Sequence, residues 1–297
     1  MGLVALIAVG ATFAVAAIAL AILSLFAGER TKVREAWTVY ALQFLTMGAI
    51  LVPAYLGGIV FTAVVTLLAS LCLLEFLGIQ KDAVPIAMKV TAVAFGAGTC
   101  LLAHFRPFPD LYLTIPLAAA AMLVVSLFYT NERRHFQSVS ASILGLICIP
   151  VFLSHAILIR KLDNGFLVLF FMYGLSEIHD SFAYLFGKML GKKRIFANIS
   201  PNKTYVGFSS GIVAATVAGI ALNLTVTHFS PAYAAAAVAL IIAFTILGDL
   251  ASSKIKRFLG VKDFGNLLPR TGGVYDCYDS LVFTAPFVYY LSLLVAR

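Results

Sequence analysis

Long apolar stretches recur along the whole chain, and they constrain its fold more than any other feature. The sequence is 62% hydrophobic and only 11% charged. An apolar run of about 18 residues or more indicates a membrane-spanning helix. The runs are continuous rather than alternating, which excludes a β-barrel and predicts an all-α, polytopic membrane protein. Ten spans are predicted, or nine if one short or charged run is left out: residues 3–27, 38–54, 59–79, 86–104, 111–129, 139–159, 164–187, 205–229, 231–252 and 280–296.

Positive charge is distributed unevenly between the two ends of these spans. With ten spans, the loops after the odd-numbered spans hold all but four of the 21 Lys and Arg residues. Cytoplasmic loops are the basic ones, so both chain termini are predicted outside and the odd-numbered loops inside. This topology and an anionic ligand explain the net charge of +8, so no nucleic-acid partner is needed. The four exceptions are Arg106, Arg160, Lys161 and Arg297.

Two basic segments, residues 188–204 and 253–279, break the pattern of short loops. The second combines Lys and Arg side chains with aspartates and a Gly-Gly pair. Cations bind phosphate oxygens, carboxylates bind a hard divalent ion, and glycines let the backbone approach closely. We therefore expect a membrane scaffold over 1–174 and a catalytic region over 175–297, with both basic segments on the cytoplasmic side.

Acidic side chains inside predicted spans are a second indication of a site. An acid at mid-bilayer costs about 2.5–3.5 kcal/mol on insertion scales, so it usually marks a pathway or a site. Glu75, Glu177, Asp180 and Asp249 lie in the cytoplasmic half of their spans. An acid near a span end, such as Glu75, is more often an interfacial anchor or the partner of a nearby cation than a functional residue. Asp180 and Asp249 are the stronger candidates for a site, because they flank the two basic segments. The carboxylates predicted to converge on one metal are Asp180, Asp249, Asp276 and Asp279.

Two pairs of glycines, Gly187-x3-Gly191 and Gly207-x3-Gly211, have the spacing of closely packed helices. For the second pair, packing is favoured over a ligand-binding role. Residues 187–192 resemble a phosphate-binding P-loop only superficially, because the motif is one residue too short and follows no predicted strand. A P-loop is therefore excluded.

Eleven residues of the segment 253–279 fall at fixed positions of a known pattern. That pattern runs S-x-apolar-K-R, four residues, K-D-x-small, two residues, apolar-P-x-H-G-G-apolar-x-D-R-apolar-D. The matching residues are Ser253, Lys256, Arg257, Lys262, Asp263, Gly265, Pro269, Gly272, Gly273, Asp276 and Asp279.

Three further stretches match elements that accompany this pattern. They are D-S-F-A-Y-L-F-G-K-M-L-G-K (180–192), I-S-P-N-K-T-Y-V-G (199–207) and G-D-L (248–250). Together these motifs resemble the phosphatidate cytidylyltransferases, the CDP-diacylglycerol synthases. The resemblance covers the chain from about residue 175 onward, whereas the N-terminal half is similar only in hydropathy.

Three positions of the family pattern differ in this chain. The family's His before the Gly-Gly pair is Thr271, and its Arg after the first Asp is Cys277. The Glu of the family's T-x-E-G element is Val206. Arg270 stands where the family usually has a small residue, and we expect it to supply the missing positive charge. These differences leave the lipid substrate open.

The resemblance implies a CTP-dependent reaction in phospholipid biosynthesis, which converts phosphatidate or a related lipid phosphate to CDP-diacylglycerol and pyrophosphate. It also implies Mg²⁺, with a possible second cation, and a homodimer in a bacterial inner membrane. A CTP-dependent lipid kinase and an inactive paralogue or transporter with the same fold are the alternatives. The implied catalytic and phosphate-binding residues are Asp180, Ser200, Lys203, Lys256, Arg257, Lys262, Asp263, Arg270, Gly272 and Gly273, and the implied metal ligands are Asp249, Asp276 and Asp279.

Overall fold

A computed structural model describes residues 30–80, 84–105, 110–129, 132–268 and 272–295. Over these ranges the chain forms helices and no strand, with isolated bridges at Arg194–Thr204 and Leu268–Gly272. The α-helices are α1 (Arg30–Leu56), α2 (Gly58–Gly78), α3 (Ile86–Phe105), α4 (Thr114–Tyr129), α5 (Glu132–Leu146), α6 (Phe152–Arg160), α7 (Gly165–Leu190), α8 (Tyr205–Leu222), α9 (Pro231–Phe258) and α10 (Val274–Val295). A 3₁₀ turn (Asp110–Leu113) precedes α4, and π turns follow α5 (Ile147–Val151) and α8 (Asn223–Thr227).

The apolar composition of these helices confirms the predicted all-α membrane fold. Within the described part of the chain, two apolar helices are too short to count as membrane spans: Tyr40–Leu56 and Thr114–Tyr129. Helix α7 is 26 residues long, yet it is not among the helices that are apolar enough to cross a membrane, and Glu177 and Asp180 lie near its middle. The predicted count of nine to ten spans is thus not confirmed, and the predicted span 3–27 lies outside the described residues. Among the described residues, six helical stretches are long and apolar enough to cross a membrane: Gly58–Gly78, Ile86–Phe105, His135–Arg160, Tyr205–Thr227, Pro231–Phe258 and Val274–Val295.

N-capping residues mark the start of the two helices that follow the first basic segment. Thr204 precedes α8, and its side chain accepts a hydrogen bond from the Gly207 amide at 3.1 Å. Ser230 precedes α9 and accepts from the Tyr233 amide at 3.3 Å, with Pro231 at the first helical position. Both residues satisfy amides that have no acceptor within the helix, so they fix where each helix starts.

The paired glycines allow α7 and α8 to pack closely. A Cβ atom at Gly207 would lie 3.0 Å from the Cα of Gly187, and one at Gly211 would lie 2.8 Å from the carbonyl oxygen of His179. Real Cβ atoms essentially never come closer than 3.0 Å to such atoms, and the Cβ at Gly207 would also lie 2.5 Å from the carbonyl oxygen of Ala183, so larger residues would force the helices apart. The predicted packing role of these glycines is confirmed.

Helix α10 packs against four other helices, α2, α6, α7 and α9. Buried hydroxyl groups connect α7 to α9 and α9 to α10. Ser176 of α7 and Thr245 of α9 are hydrogen-bonded at 2.8 Å, as are Tyr233 of α9 and Ser292 of α10. Interhelical hydrogen bonds are a main source of helix association in an apolar medium. These contacts fix the helices that carry the predicted site residues.

Two cations lie at the end of the bundle away from the basic segments. Arg160 donates through Nε to the Ala54 carbonyl near the end of α1, at 2.5 Å. Lys161 donates through Nζ to the carbonyls of Ala103 and His104 near the end of α3, at 3.3 and 3.1 Å. Cations stabilise the carbonyl ends of helices. Two of the four cations that do not follow the charge asymmetry therefore cap helices.

Candidate active site

The two basic segments meet at one end of the bundle. Lys203, near the end of the first segment, forms an ion pair with Asp249 of α9. Ser253 of the second segment donates to the same carboxylate at 3.3 Å. The side chains of Lys203 and Asp249 are 28% and 30% exposed, so a ligand can reach both. The structure thus joins two parts of the sequence that the motifs indicated separately.

A second ion pair lies inside the segment 253–279. The Lys256 ammonium contacts Oδ1 of Asp276 at 2.7 Å, and the two side chains are only 11% and 4% exposed. The other oxygen, Oδ2, accepts the amides of Phe264 and Gly273 at 2.7 and 2.8 Å. Asp276 therefore folds the segment around itself and holds the Lys256 ammonium in place.

Asp279 and Asp180 are connected through Ser280. Buried Asp279 accepts a short hydrogen bond from Ser252 and one from the Ser280 amide at 2.7 Å. The Ser280 hydroxyl donates to Asp180 Oδ2 at 3.3 Å. Asp180, Asp249 and Lys256 all lie close enough to act electrostatically on Asp279. Acids from α7, α9 and α10 therefore share one region.

His179 orients the acid of α7. Its Nδ1 lies 2.9 Å from Oδ1 of Asp180, and its ring packs against Gly211 of α8. The imidazole is buried, whereas the Asp180 side chain is 41% exposed. The contact leaves the Asp180 carboxylate accessible but restricts its orientation.

The glycines of the segment 253–279 are required by the backbone itself. Gly272 has φ +97°, which L side chains rarely adopt, and a Cβ there would lie 2.7 Å from the Cβ of Asp263. The Gly272 amide donates to the Leu268 carbonyl at 3.2 Å, and the Gly273 amide to Asp276. Both predicted phosphate-binding amides thus have partners within the protein, and glycine serves the fold of the segment.

Glu75 takes part in the site region, although its position in the sequence indicates only an interfacial acid. Its carboxylate, at the end of α2, accepts the amides of Val274 and Tyr275 at 2.9 and 2.8 Å. These amides begin α10, and negative charge is stabilised at a helix start. The available sequence signal was an acid at the cytoplasmic end of a span, and nothing in the sequence named its partner. Ser252 and Ser280 were also missed, although each neighbours a residue that was identified.

The remaining predicted residues lie around this cluster. Ser200 lies in the turn between the first basic segment's bridge residues, where its amide donates to the Phe196 carbonyl at 2.8 Å. Arg257 and Lys262 are exposed, and Asp263 lies against Gly272. Arg270 and Thr271 lie outside the described residues. The residues that differ from the family pattern and are described are Val206, which is exposed, and Cys277, which is partly buried.

The donor set suits a hard cation held together with phosphates. Among the described residues, no group of three or more His, Cys, Asp or Glu side chains is arranged to hold a metal ion alone. Mg²⁺ is usually bound by one or two carboxylates together with water and substrate phosphates. Asp180 and Asp249 present partly exposed carboxylates of this kind. These residues fit Mg²⁺ when it is bound jointly with a phosphate ligand.

Fold and site together define a class: a helical membrane protein with clustered acids and cations at one end of its bundle. The sequence model of the Cytidylyltransferase family matches residues 32–295. The chain belongs to that family. The match begins far upstream of residue 175, so the expectation that the N-terminal half is similar only in hydropathy was wrong.

Individual relatives agree with this assignment. The chain is 33% identical to the phosphatidate cytidylyltransferase of Bacillus subtilis (strain 168) over 250 residues, which cover 80% of this chain and 90% of that protein. It is 30% identical to the phosphatidate cytidylyltransferase of Staphylococcus aureus (strain COL) over 232 residues, or 77% and 88% of the two chains. It is also 35% identical over 196 residues to the uncharacterized protein YnbB of Escherichia coli (strain K12), covering 64% and 66%.

Proposed function

We propose that this protein transfers the cytidylyl group of CTP to phosphatidate or a closely related lipid phosphate, forming a CDP-lipid and pyrophosphate. One observation carries the proposal. Asp180, Asp249 and Asp279 come together from three helices beside Lys203 and Lys256, at one end of an apolar bundle. Carboxylates and ammonium groups in one region suit two polyanionic substrates and a divalent cation.

The reaction needs charge neutralisation more than a base. A phosphate monoester has a second pKa of about 6, so its attacking oxygen is largely ionised near neutral pH. That oxygen attacks the α-phosphorus of CTP, and the bond from this phosphorus to the oxygen bridging to the β-phosphate breaks. Pyrophosphate leaves with the bonding electrons. The protein has to hold two anions in line and stabilise the charge on the leaving group.

The cations of the site hold the two anionic substrates in line. Lys203 is paired with Asp249 and partly exposed, so it can transfer its contact from the carboxylate to an entering triphosphate. Lys256 is fixed by Asp276 and acts electrostatically on Asp249 and Asp279 as well. Mg²⁺, held by Asp249 and Asp180 together with phosphate oxygens, would supply further charge neutralisation. The exposed Arg257 and Lys262 are proposed to add phosphate contacts at the rim, and Arg270 is proposed to supply the positive charge that the family's His and Arg positions lack here.

A lipid substrate is supported by the apolar surface beside the site. Phe182, Leu185 and Met189 of α7 are exposed, as are Tyr205 and Val206 at the start of α8. This surface lies at the same end of the bundle as Asp180 and Lys203. A lipid phosphate can therefore place its head group among the cations while its acyl chains remain in the bilayer. With the predicted topology, the site faces the cytoplasm of a bacterial inner membrane.

In the presence of Mg²⁺, purified protein should convert CTP and phosphatidate in vesicles to CDP-lipid and pyrophosphate in equal amounts. Asp249→Asn should reduce the rate by roughly 100-fold while the protein remains folded. Asp163→Asn is the matched control, because Asp163 lies in an exposed turn at the opposite end of the bundle. CDP with a newly phosphorylated lipid would instead identify a lipid kinase. No turnover on several lipid phosphates would identify an inactive paralogue.

A further inference from the structure

The start of α10 is held by a residue nearly two hundred positions earlier in the chain. Glu75 accepts the amides of Val274 and Tyr275, one on each carboxylate oxygen. Amides in the first turn of a helix have no acceptor within the helix. Because both bonds are charge-assisted, they are stronger than bonds between neutral groups. Glu75 therefore fixes the position of α10 relative to α2.

Two glycines of the segment 253–279 leave room for this carboxylate because they have no side chain. A Cβ at Gly265 would lie 2.8 Å from Cδ of Glu75, and a Cβ at Gly273 would overlap the other side of the same group. The backbone at both positions thus packs directly on the carboxylate. This steric fit is independent of the hydrogen bonds, and it places Gly265 and Gly273 directly against the same carboxylate.

The residue after Glu75 adds an apolar contact to the same segment. Phe76 lies 6.0 Å from Phe264 and 6.3 Å from Tyr275 between ring centroids, and the latter two rings are 4.6 Å apart. All three side chains are buried. The Lys256 ammonium lies 5.3 Å from the centroid of the Phe264 ring. The end of α2 therefore contacts the segment through one polar and one apolar side chain.

We propose that Glu75 is a positioning residue that holds residues 259–268 and 272–275 in the conformation in which Asp276 binds Lys256. The connection is short, because the Gly273 amide donates to Asp276 and the next two amides donate to Glu75. Losing the Glu75 carboxylate releases the start of α10, and with it the Asp276–Lys256 pair. The catalytic consequence of this arrangement rests on the proposed function.

Hydrogen exchange tests the positioning directly, without any activity. In Glu75→Gln, one carboxylate oxygen becomes an amide group that faces a backbone N–H. The Val274 and Tyr275 amides should then exchange at least about tenfold faster. Ser70→Ala is the control on the same helix, because the Ser70 hydroxyl donates to the Thr66 carbonyl four residues earlier. Glu75→Asp keeps the charge and should show a smaller increase in the exchange rate of these two amides. It replaces Glu75→Gln as the test variant if Glu75→Gln does not fold.

A double-mutant cycle tests the steric fit and the link to the reaction. Gly265→Ala should lower kcat/KM by at least about tenfold in the wild-type protein, but by less than about threefold in Glu75→Ala, where the overlapping carboxylate is absent. Glu75→Gln should lower kcat/KM by at least about tenfold, while Ser70→Ala stays within about twofold of wild type.

The outcomes separate this proposal from the proposed function. Unchanged exchange of the Val274 and Tyr275 amides in Glu75→Gln overturns the positioning role. Faster exchange with unchanged kcat/KM overturns its link to the site. If the wild-type protein shows no cytidylyl transfer, the proposed function fails, and the exchange experiment still decides whether Glu75 holds the segment.

Discussion

Lys256→Met is expected to destabilise the folded protein by about 3 kcal/mol. The Lys256–Asp276 pair is only 11% and 4% exposed, and removing one partner of a buried pair costs about 3–5 kcal/mol. The lower end applies because two amides still donate to Oδ2 of the orphaned carboxylate. Asp276→Asn should cost less, about 2 kcal/mol, because Asp249 and Asp279 still act on the Lys256 ammonium.

The double variant Lys256→Met/Asp276→Asn should cost less than the sum of the two single changes, by at least about 1.5 kcal/mol. The measurement is the free energy of unfolding in mixed micelles for wild type, both single variants and the double variant. Arg257→Met is the control, because Arg257 is exposed and should shift stability by less than about 0.5 kcal/mol. Additive losses, within about 0.5 kcal/mol, would show that the two side chains do not stabilise each other.

Two further predictions concern helix packing and helix ends. Gly211→Ala should destabilise the protein by about 1–3 kcal/mol, because the added Cβ would overlap His179. Gly98→Ala should instead stabilise the protein by up to about 1 kcal/mol, because its Cβ would meet no atom within 4 Å and alanine favours the helix. Equal effects of the two changes on thermal unfolding would contradict the packing of α7 on α8. Arg160→Met should cost about 1 kcal/mol, because the Ala54 carbonyl loses a charged donor; unchanged unfolding would refute the cap.

The sequence was sufficient for those features that depend on local pattern. Apolar runs predicted the helices, and small-residue spacing predicted the packing of α7 on α8. The motifs placed Asp180, Asp249 and Asp279 near the two basic segments along the chain, and in the structure Asp180 and Asp249 lie close enough to Asp279 to act on it electrostatically. Asp276 also had a local signal, since an acid three residues after Gly273 lies where it can accept that amide at a helix start.

The role of Glu75 could not be predicted in the same way. Its partners, Val274 and Tyr275, are on a helix that packs against α2 only in the folded bundle, and sequence spacing carries no information on that contact. The amide partners of Gly272 and Gly273 were missed for a related reason. A Gly-Gly pair indicates close backbone approach, but the approaching group can be a ligand or, as here, the protein's own carboxylates.

The position of the transferred phosphorus tests the central claim most directly. The purified protein is incubated with Mg²⁺, phosphatidate and CTP that carries a phosphorus label at either the α or the γ position. Cytidylyl transfer predicts that the α label enters the lipid product and that the γ label is released as pyrophosphate. A γ label in the lipid, with the α label left in CDP, would contradict the proposed reaction and show phosphoryl transfer instead.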